Sequence, residues 1–302
     1  MEALKEALAA AGFTPDRLMP DAAMCRYTTM RVGGPADLAA FPSSSGQIIR
    51  ALDLAARHAT PALVMGGGSN LIVRDGGVRG LVLVLGEAFS RVRVRDGVLY
   101  AQAGARLAQV GAAAQRAGLS GLEFAAGIPG TVGGGVAMNA GAYGGELKDC
   151  LLWAQVLLQG QLLRLDRQQL AMGYRTSRAL REGGVVLGAA FALTPGDPQA
   201  IARRMGELAA LRREKQPLSL PSAGSTFKRP PGHFAGALIE GAGLKGLRVG
   251  GAQVSEKHAG FVVNAGEATA KEVLELIQQV KDRVWARWGV ALECEVRVVG
   301  EG

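Results

Sequence analysis

Apolar residues recur along the first third of the chain with two different periods, which predict one helix and several strands. After Ser44-Ser45-Gly46 they return every three or four positions, and this spacing predicts a helix that Pro61 ends. Residues 63–65, 71–73 and 81–85 form short apolar runs that predict strands. Between the last two runs, Asp75-Gly76-Gly77 predicts the turn of a β-hairpin. The pattern indicates an α/β module of βαββ type.

Alternation of apolar and polar residues marks the middle third. Residues 91–95 and 98–103 alternate around an Asp96-Gly97 turn, and a helix is predicted over 107–117. Residues 153–158 and 162–165 predict another hairpin, and 185–193 predict a further strand. The sequence Thr-Pro-Gly-Asp-Pro then breaks the pattern at 194–198. We therefore predict domains over residues 1–85, 86–197 and 198–302.

The last third predicts two helices and a closing strand. One helix covers 199–214, and a capping box at Thr269-Ala270-Lys271-Glu272 opens another that Gly289 ends. In the strand predicted over 292–299, alternation puts Glu293, Glu295 and Arg297 on one face. The opposite, apolar face consists of Leu292, Cys294, Val296 and Val298. The charged face is either solvated or the wall of a cleft, where a carboxylate can serve as an acid, a base or an electrostatic stabiliser.

The composition is that of a globular protein with abundant core. Of the 302 residues, 48% are hydrophobic, which is enough for two or three compact domains. No apolar run approaches the ~18 residues of a membrane span, and the N-terminal segment lacks the order of a signal peptide. We expect a cytoplasmic protein without membrane partners. The three cysteines are widely separated, which favours neither a disulfide framework nor a metal site.

The net charge of +8 admits nucleic acid, a membrane surface or an acidic small ligand as partner. Basic residues form no run of five, and only 5% of residues are aromatic, so stacking platforms for bases are few. We therefore expect no nucleic-acid partner. Solvated basic faces and a polyanionic substrate both remain compatible with the charge.

Two glycine-rich segments are the most informative feature. The first is Gly66-Gly67-Gly68-Ser69-Asn70, and the second runs from Gly127 to Gly145. Backbone N–H groups in such turns can hold a pyrophosphate. Neither segment has the G-x-x-x-x-G-K-[ST] or the strand-G-x-G-x-x-G-helix pattern of the common nucleotide sites. A bound dinucleotide of another kind is the leading hypothesis.

Two further segments carry side chains suited to chemistry. Arg175 lies between an aromatic residue and two hydroxyl residues in Gly173-Tyr174-Arg175-Thr176-Ser177, and its planar fork suits carboxylates and phosphates. Ser225 lies in a flexible turn without a G-x-S-x-G elbow or a partner histidine, so a proton donor is a better prediction than a nucleophile. The three histidines, at 58, 233 and 258, show no metal-ligand spacing, and we predict no metal site.

Taken in order, five motifs resemble those of the UDP-N-acetylenolpyruvoylglucosamine reductases. They are the two glycine-rich segments, Gly173-Tyr174-Arg175, Gly224-Ser225-Thr226-Phe227 and Glu293-Cys294-Glu295-Val296-Arg297, within a resemblance that runs from about residue 27 to residue 300. The resemblance implies an α+β protein: a two-subdomain FAD-binding fold of the vanillyl-alcohol-oxidase type plus a C-terminal α+β substrate-binding domain. It implies that bound FAD, reduced by NADPH, reduces the enolpyruvyl ether of a UDP-linked sugar in bacterial peptidoglycan synthesis.

The resemblance also implies roles for individual residues. Ser225 is expected to protonate the enolic intermediate, while Arg175 and Glu295 bracket the substrate carboxylate and stabilise that intermediate. Lys215, Lys228 and His258 are expected to bind substrate. The expected cofactor-binding residues are Gly66, Gly67, Gly68, Ser69, Asn70, Gly127, Ile128, Pro129, Gly130, Thr131, Gly133, Gly134, Ala137, Asn139 and Gly141.

The sequence departs from the family pattern at two positions and in one loop. Cys294 stands where proline is usual, Arg229 stands where asparagine is usual, and the short segment before Lys215 resembles the subtype that lacks a tyrosine-bearing loop. Two other functions stay open: a flavin-dependent alcohol or sugar oxidase of the same fold, and a non-enzymatic basic binding protein. The sequence does not fix the oligomeric state, and a monomer is the expectation.

Overall fold

A computed structural model describes residues 1–302, in which short loops connect nine α-helices and eighteen strands. The helices are α1 (Glu2–Ala10), α2 (Ser45–Arg57), α3 (Leu107–Arg116), α4 (Val132–Met138), α5 (Leu147–Cys150), α6 (Arg178–Arg181), α7 (Pro198–Lys215), α8 (Ala235–Gly241) and α9 (Ala270–Trp288). The strands are β1 (Leu18–Ala23), β2 (Pro35–Ala40), β3 (Ala62–Met65), β4 (Leu71–Val73), β5 (Val78–Val84), β6 (Val92–Arg95), β7 (Val98–Gln102), β8 (Leu119–Ser120), β9 (Gly141–Ala142), β10 (Gly145–Glu146), β11 (Leu151–Leu158), β12 (Gln161–Asp166), β13 (Val185–Ala192), β14 (Thr194–Pro195), β15 (Arg248–Val249), β16 (Ala252–Val254), β17 (Val262–Asn264) and β18 (Arg297–Val299). Even the longest helices, α7 and α9, lack the sustained apolar length that a membrane span requires.

The chain forms two compact units, and neither is one continuous stretch. The first unit comprises Met1–Met19, Leu38–Gly67 and Leu81–Arg212. The second unit comprises Pro20–Asp37, Gly68–Gly80 and Arg213–Gly302. The ends of these units do not coincide with the domain boundaries predicted after residues 85 and 197, which stay a prediction.

A five-stranded antiparallel sheet with the order β12-β11-β13-β7-β6 forms one part of the first unit. Both predicted hairpins belong to it, because β6 pairs with β7 and β11 pairs with β12. Ala154 and Val156 of β11 are completely buried, whereas Leu152 is exposed because the strand has a register shift between Leu151 and Trp153. Helix α4 lies against β13, so the second glycine-rich segment contains a short helix packed on this sheet.

Helices α1 and α2 enclose a separate core of the first unit. Ser44 caps α2 by accepting a hydrogen bond from the Gln47 N–H (3.2 Å), which confirms the predicted start of this helix. Its buried face packs with Leu81 and Leu83 of β5. Strand β3 runs parallel to β5 in a sheet with the order β1-β2-β5-β3.

Helix α9 dominates the core of the second unit. Its capping box forms as predicted, and Gly289 ends the helix in the left-handed conformation (φ 64°). The helix lies against the three-stranded sheet β15-β16-β17. Its buried residues are Ala270, Val273, Leu276, Ile277, Val280 and Val284. Each large apolar side chain among them contributes about 1.5–3 kcal/mol of burial free energy.

The hairpin predicted at Asp75-Gly76-Gly77 is wrong. Strand β4 pairs in parallel with β18, with Leu71 opposite Arg297, and β5 pairs with β3 instead. The Asp75 carboxylate accepts hydrogen bonds from the N–H groups of Ala270 and Lys271, both at 2.8 Å. The residue that predicted a local turn therefore caps α9, which begins far away in the sequence.

The closing strand is shorter than predicted, because regular pairing covers only Arg297–Val299. An isolated antiparallel bridge joins Cys294 to Phe227, and the Glu295 N–H donates to the Thr226 carbonyl (2.9 Å). The predicted alternation consequently fails at Val298, which is exposed, while Leu292 and Val296 are buried as expected.

Candidate active site

The two glycine-rich segments approach each other within the first unit. A Cβ atom at Gly66 would collide with Thr131 Oγ1, and one at Gly67 would lie 3.7 Å from Gly130 Cα. Gly130 itself has φ 128°, a conformation that side chains disfavour. Close approach of glycine backbone is the setting in which N–H groups can hold a pyrophosphate.

Thr131 tests whether this region fits a dinucleotide. Its hydroxyl oxygen is buried, and no protein group forms a hydrogen bond with it. Buried polar atoms of this kind usually have a partner that is a protein group, water or a ligand. A phosphate or ribose oxygen of FAD would satisfy the hydroxyl, so the residues present fit this cofactor.

Small residues allow α4 to pack closely while one side of it stays open. A Cβ at Gly133 would come within 2.9 Å of the Ala103 Cβ, and one at Gly135 within 3.0 Å of a Leu147 methyl group. At Gly134 no atom would lie within 4 Å. Gly133 therefore serves packing against the sheet, whereas Gly134 faces space that a ligand can fill.

Asn139 connects the end of α4 to the segment that carries Arg175. Its amide nitrogen donates to Gly173 O and to Glu146 Oε2, both at 3.0 Å, and its amide oxygen accepts from the Lys148 N–H (3.0 Å). The residue is 1% exposed and has a left-handed backbone (φ 46°). Its side chain thus has a structural task in addition to any contact with the cofactor.

Arg175 lies against the second glycine-rich segment. Its two terminal guanidinium nitrogens donate to Gly141 O at 3.4 Å each. The turn is fixed from the other side by Ser177, whose hydroxyl donates to Ala137 O (2.8 Å). Arg175 has φ 54°, an uncommon conformation for a residue with a side chain.

A charged cluster surrounds this turn. Lys148 forms an ion pair with Glu146 (2.6 Å), and this hydrogen bond, together with those from Asn139 and the positive charge of Arg175, lowers the pKa of Glu146. Glu146 therefore stays ionised when the solution becomes acidic, and its negative charge attracts Lys148 and Arg175.

In the second unit, Ser69 and Asn70 lie beside the segment that carries Glu295. The Asn70 amide donates to Glu295 O (3.0 Å), and the Arg297 N–H donates to Asn70 O (2.9 Å). The end of the first glycine-rich segment is therefore held next to the predicted catalytic glutamate.

Thr226 fixes the relative positions of Ser225 and Glu295. Its carbonyl accepts from the Glu295 N–H, its N–H donates to Gly260 O (2.9 Å), and its hydroxyl accepts from the Val262 N–H (3.0 Å). Thr226 is 2% exposed and hydrogen-bonded, so the backbone next to Ser225 is held in place. The structure brings Ser225, Glu295 and Asn70 into one backbone network.

The predicted substrate-binding residues of the second unit have different surroundings. Lys228 pairs with Glu293, and Lys215 is exposed at the end of α7. His258 is half-buried, its Nδ1 accepts from the Gly260 N–H (3.1 Å), and its ring meets Phe261 edge to face. Burial is the main cause that lowers the pKa of His258.

The first unit thus contains Gly66, Gly67, the predicted cofactor residues from Gly127 to Gly141, and Arg175. The second unit contains Gly68, Ser69, Asn70, Lys215, Ser225, Lys228, His258 and Glu295. The sequence analysis missed Arg212, which is buried next to Gly127. Its place four residues after buried Leu208 on α7 was the available signal.

Comparison with known proteins decides the family. The family model for the C-terminal domain of UDP-N-acetylenolpyruvoylglucosamine reductase matches residues 216–299, and that of an FAD binding domain matches residues 36–166. A UDP-N-acetylenolpyruvoylglucosamine reductase from Agathobacter rectalis is 51% identical over 94% of this chain and 94% of its own. The chain belongs to the UDP-N-acetylenolpyruvoylglucosamine reductase family.

Solved structures agree with this membership. The UDP-N-acetylenolpyruvylglucosamine reductase from Thermus caldophilus superposes with a TM-score of 0.79 at 39% identity, over 93% of this chain and 97% of that one. An alkyldihydroxyacetonephosphate synthase structure is 18% identical, covers 65% of this chain and 41% of that one, and has a TM-score of 0.51, which shows a shared fold alone. The predicted α+β fold with an FAD-binding part of the vanillyl-alcohol-oxidase type is confirmed. Membership of the reductase family favours the reductase over both alternative functions.

Proposed function

We propose that this protein catalyses the FAD-dependent reduction of UDP-N-acetylglucosamine enolpyruvate to UDP-N-acetylmuramate in peptidoglycan synthesis, with NADPH as hydride donor. The observation that carries the proposal is family membership over nearly the whole chain. The contact between the two glycine-rich segments and the backbone network around Ser225 and Glu295 support it.

FAD would be held by the Gly66–Gly67 and Gly130–Thr131 backbone, the Thr131 hydroxyl and the open side of Gly134. When bound, it supplies the two-electron chemistry that no amino-acid side chain provides. The protein's own task is to bind the reactants, orient them and move one proton.

Arg175 is proposed to bind the substrate carboxylate and to stabilise the negative charge that develops next to it. A guanidinium offers two parallel hydrogen bonds to a carboxylate, and the Gly173–Ser177 turn is already fixed by Asn139 and Ser177. Preorganised contacts of this kind are worth about 3 kcal/mol of transition-state free energy when tested by removal.

Ser225 is proposed to donate its Oγ proton to the carbon atom that carries the enolic negative charge, and Glu295 to stabilise that intermediate with Arg175. Lys215, Lys228 and His258 are proposed to bind the UDP part of the substrate. Two of these are lysines, whose positive charges suit the diphosphate. A location in the cytoplasm and a monomeric state stay predictions.

Ser225→Ala tests the proton-donor role. Reduction of the bound FAD by NADPH, followed as bleaching of its absorbance, should keep the wild-type rate, because no serine proton is needed. Reoxidation by the UDP-enolpyruvyl sugar should slow by about a hundredfold or more, the usual contribution of a general acid. Stopped-flow absorbance measures both half-reactions.

Ser222→Ala is the matched control in the same loop, where the backbone carbonyl of Ser222 accepts from the Thr29 hydroxyl. It should behave as wild type in both half-reactions. Equal slowing of both half-reactions by Ser225→Ala contradicts the proton-donor role. Bleaching by an alcohol with formation of peroxide would instead indicate an oxidase, and purified protein unable to bind FAD would contradict the proposed function itself.

A further inference from the structure

Arg212 is a buried cation on a helix whose other arginines are exposed. It is 7% exposed, whereas Arg203, Arg204 and Arg213 of the same helix are exposed to solvent. Its position four residues after Leu208 and eleven after Ile201 puts it on the buried face of α7. A cation at such a position needs a compensating interaction, because removal of charge from water is strongly unfavourable.

The protein supplies no carboxylate for this charge. No Asp or Glu oxygen lies within 4 Å of the Arg212 guanidinium, although arginines elsewhere on α7 form ion pairs. The guanidinium carbon lies 5.8 Å from the centre of the Tyr143 ring, within range of a cation–π contact. Desolvation lowers the pKa of Arg212, and Tyr143 opposes that shift in part, through its charge and a side-chain hydrogen bond. The partner that the protein supplies is thus a phenol rather than a carboxylate.

The second glycine-rich segment packs around this cation from both ends. Gly127 begins the segment, and a Cβ atom there would lie 3.1 Å from Arg212 Nε and 3.5 Å from its Cζ. Tyr143, at the far end of the segment, contributes the ring. A side chain at position 127 would therefore be in tight contact with the guanidinium and would displace it slightly.

Two neighbouring contacts indicate which part of the cofactor lies near Arg212. The Gly66–Gly67 and Gly130–Thr131 backbone offers the phosphate-binding geometry. Arg175, in contrast, donates to Gly141, two residues before Tyr143. Since Arg175 is the proposed ligand of the substrate carboxylate, residues Gly141–Tyr143 are those that would hold the reacting ring of the flavin.

We infer that Arg212 is the counter-charge of the flavin ring in its reduced form, an inference that rests on the proposed function. Transfer of a hydride to the neutral ring adds two electrons and one proton, so the ring gains one negative charge. A fixed cation beside it stabilises the reduced form more than the oxidised form and raises the reduction potential of the flavin. The same pairing compensates the buried charge of Arg212.

Arg212→Gln tests this inference in the FAD-bound protein. The midpoint potential, measured by equilibration with a reference dye, should become more negative, because reduced FAD loses more affinity than oxidised FAD. A tenfold larger loss for the reduced form corresponds to a shift of about 30 mV for a two-electron couple. Arg212→Lys keeps the charge and should shift the potential less.

Arg204→Gln is the matched control, since it removes an exposed arginine from the same helix, and it should leave the potential unchanged. Equal losses of affinity for oxidised and reduced FAD, with an unchanged potential, would place Arg212 at the pyrophosphate and overturn the assignment. Wild-type affinity and potential in Arg212→Gln would overturn it as well.

Gly127→Ala provides a second route if Arg212→Gln does not fold. The added methyl group should push the guanidinium aside and lower the potential while the charge is retained. An unchanged potential in a folded Gly127→Ala protein counts against the inference. If these variants keep the wild-type midpoint potential, the role of Arg212 is refuted. If the wild-type protein turns over the UDP-enolpyruvyl sugar at the same time, the proposed function stays intact.

Discussion

Two residues with side chains hold left-handed backbone conformations next to each other at the candidate site, Asn139 (φ 46°) and Arg175 (φ 54°). Asparagine tolerates this region better than most residues, whereas arginine does so only where its surroundings enforce it. The hydrogen bond from Asn139 to Gly173 is part of that enforcement. Strained backbone of this kind concentrates at functional sites.

Asn139→Ala should therefore destabilise the protein and impair the site together. The buried partners of the amide lose their hydrogen bonds and alanine disfavours the left-handed conformation, so we expect a loss of about 2–4 kcal/mol in the free energy of unfolding. Asn139→Gly loses the same hydrogen bonds but not the conformation, and should be about 1 kcal/mol more stable than the alanine variant. Urea unfolding measures both, and unchanged stability in Asn139→Ala would disprove the anchoring role.

His258 should make the protein less stable as the pH falls. Burial, with a smaller contribution from the charge of Lys245, lowers the pKa of His258 below its ordinary value of about 6.5, while Glu240 acts in the opposite direction. The folded state therefore resists a proton that the unfolded chain accepts, and stability is lost as pH falls below about 6.5. Above that pH neither state binds the proton, so this destabilising effect is absent.

Thermal unfolding at pH 7.5 and pH 5.5 measures this effect. His258→Asn should lose less stability between the two pH values than wild type does. His233→Asn, a change at an exposed histidine, controls for removal of an imidazole elsewhere. If His258→Asn loses as much stability between the two pH values as wild type does, His258 is not the source of the loss.

Residues with a proposed chemical role were easier to name from the sequence than residues with a structural role. Arg175, Ser225 and Glu295 stand in motifs that resemble a known family, so their positions could be named before the fold was known. Nothing in the sequence separates Arg212 from its basic neighbours, and charged side chains are rarely buried, so its burial was not expected. Its burial depends on the Gly127 segment, which no local pattern relates to α7.

At the level of elements, α9 begins where two segments distant in sequence meet. Thr269 and Glu272 form the local capping box, and Asp75 accepts hydrogen bonds from two further N–H groups of the first turn. A carboxylate at this end of a helix also interacts favourably with the helix dipole.

Asp75→Ala should lower the free energy of unfolding by about 1–3 kcal/mol, because the N–H groups of buried Ala270 and exposed Lys271 lose a charged acceptor. Asp75→Asn keeps one acceptor oxygen and should lose less. Asp282→Ala, on the exposed side of α9, is the matched control and should change stability by less than about 0.5 kcal/mol. Guanidinium chloride unfolding compares the three variants, and an effect of Asp75→Ala no larger than that of Asp282→Ala would contradict the cap.

Periodic elements were predictable and irregular ones were not. Helices α2, α3, α7 and α9 and the hairpins of the five-stranded sheet follow from local periodicity, which the structure confirms. Strands β1 and β2 each contain a proline and lack regular alternation, and helices α4 and α8 are short and glycine-rich, so none of the four gave a periodic signal. The pairing of β4 with β18 depends on residues at opposite ends of the sequence, which is why the turn at Asp75 was misinterpreted.

For the whole molecule, cofactor binding should couple to stability. The Thr131 hydroxyl and the glycine backbone around it come together only in the folded state. FAD should therefore bind the folded protein in preference to the unfolded chain. Free FAD at a hundred times its dissociation constant should add about 2.7 kcal/mol to the free energy of unfolding. Differential scanning calorimetry of protein stripped of FAD, with and without added FAD, measures this, and AMP at the same concentration controls for binding of the adenine part alone. A melting temperature independent of FAD concentration would argue against the site.

The pairing of β4 with β18 also orders events during synthesis. Leu71–Val73 leaves the ribosome long before its partner Arg297–Val299. Until that partner is made, the nascent chain carries an apolar strand whose edge is uncovered, a state prone to wrong pairing. The bridge between Gly77 and Glu301 closes the same region only after that. Completion of the second unit thus waits for Arg297–Val299, and the emerging chain has most need of a chaperone before that segment is made.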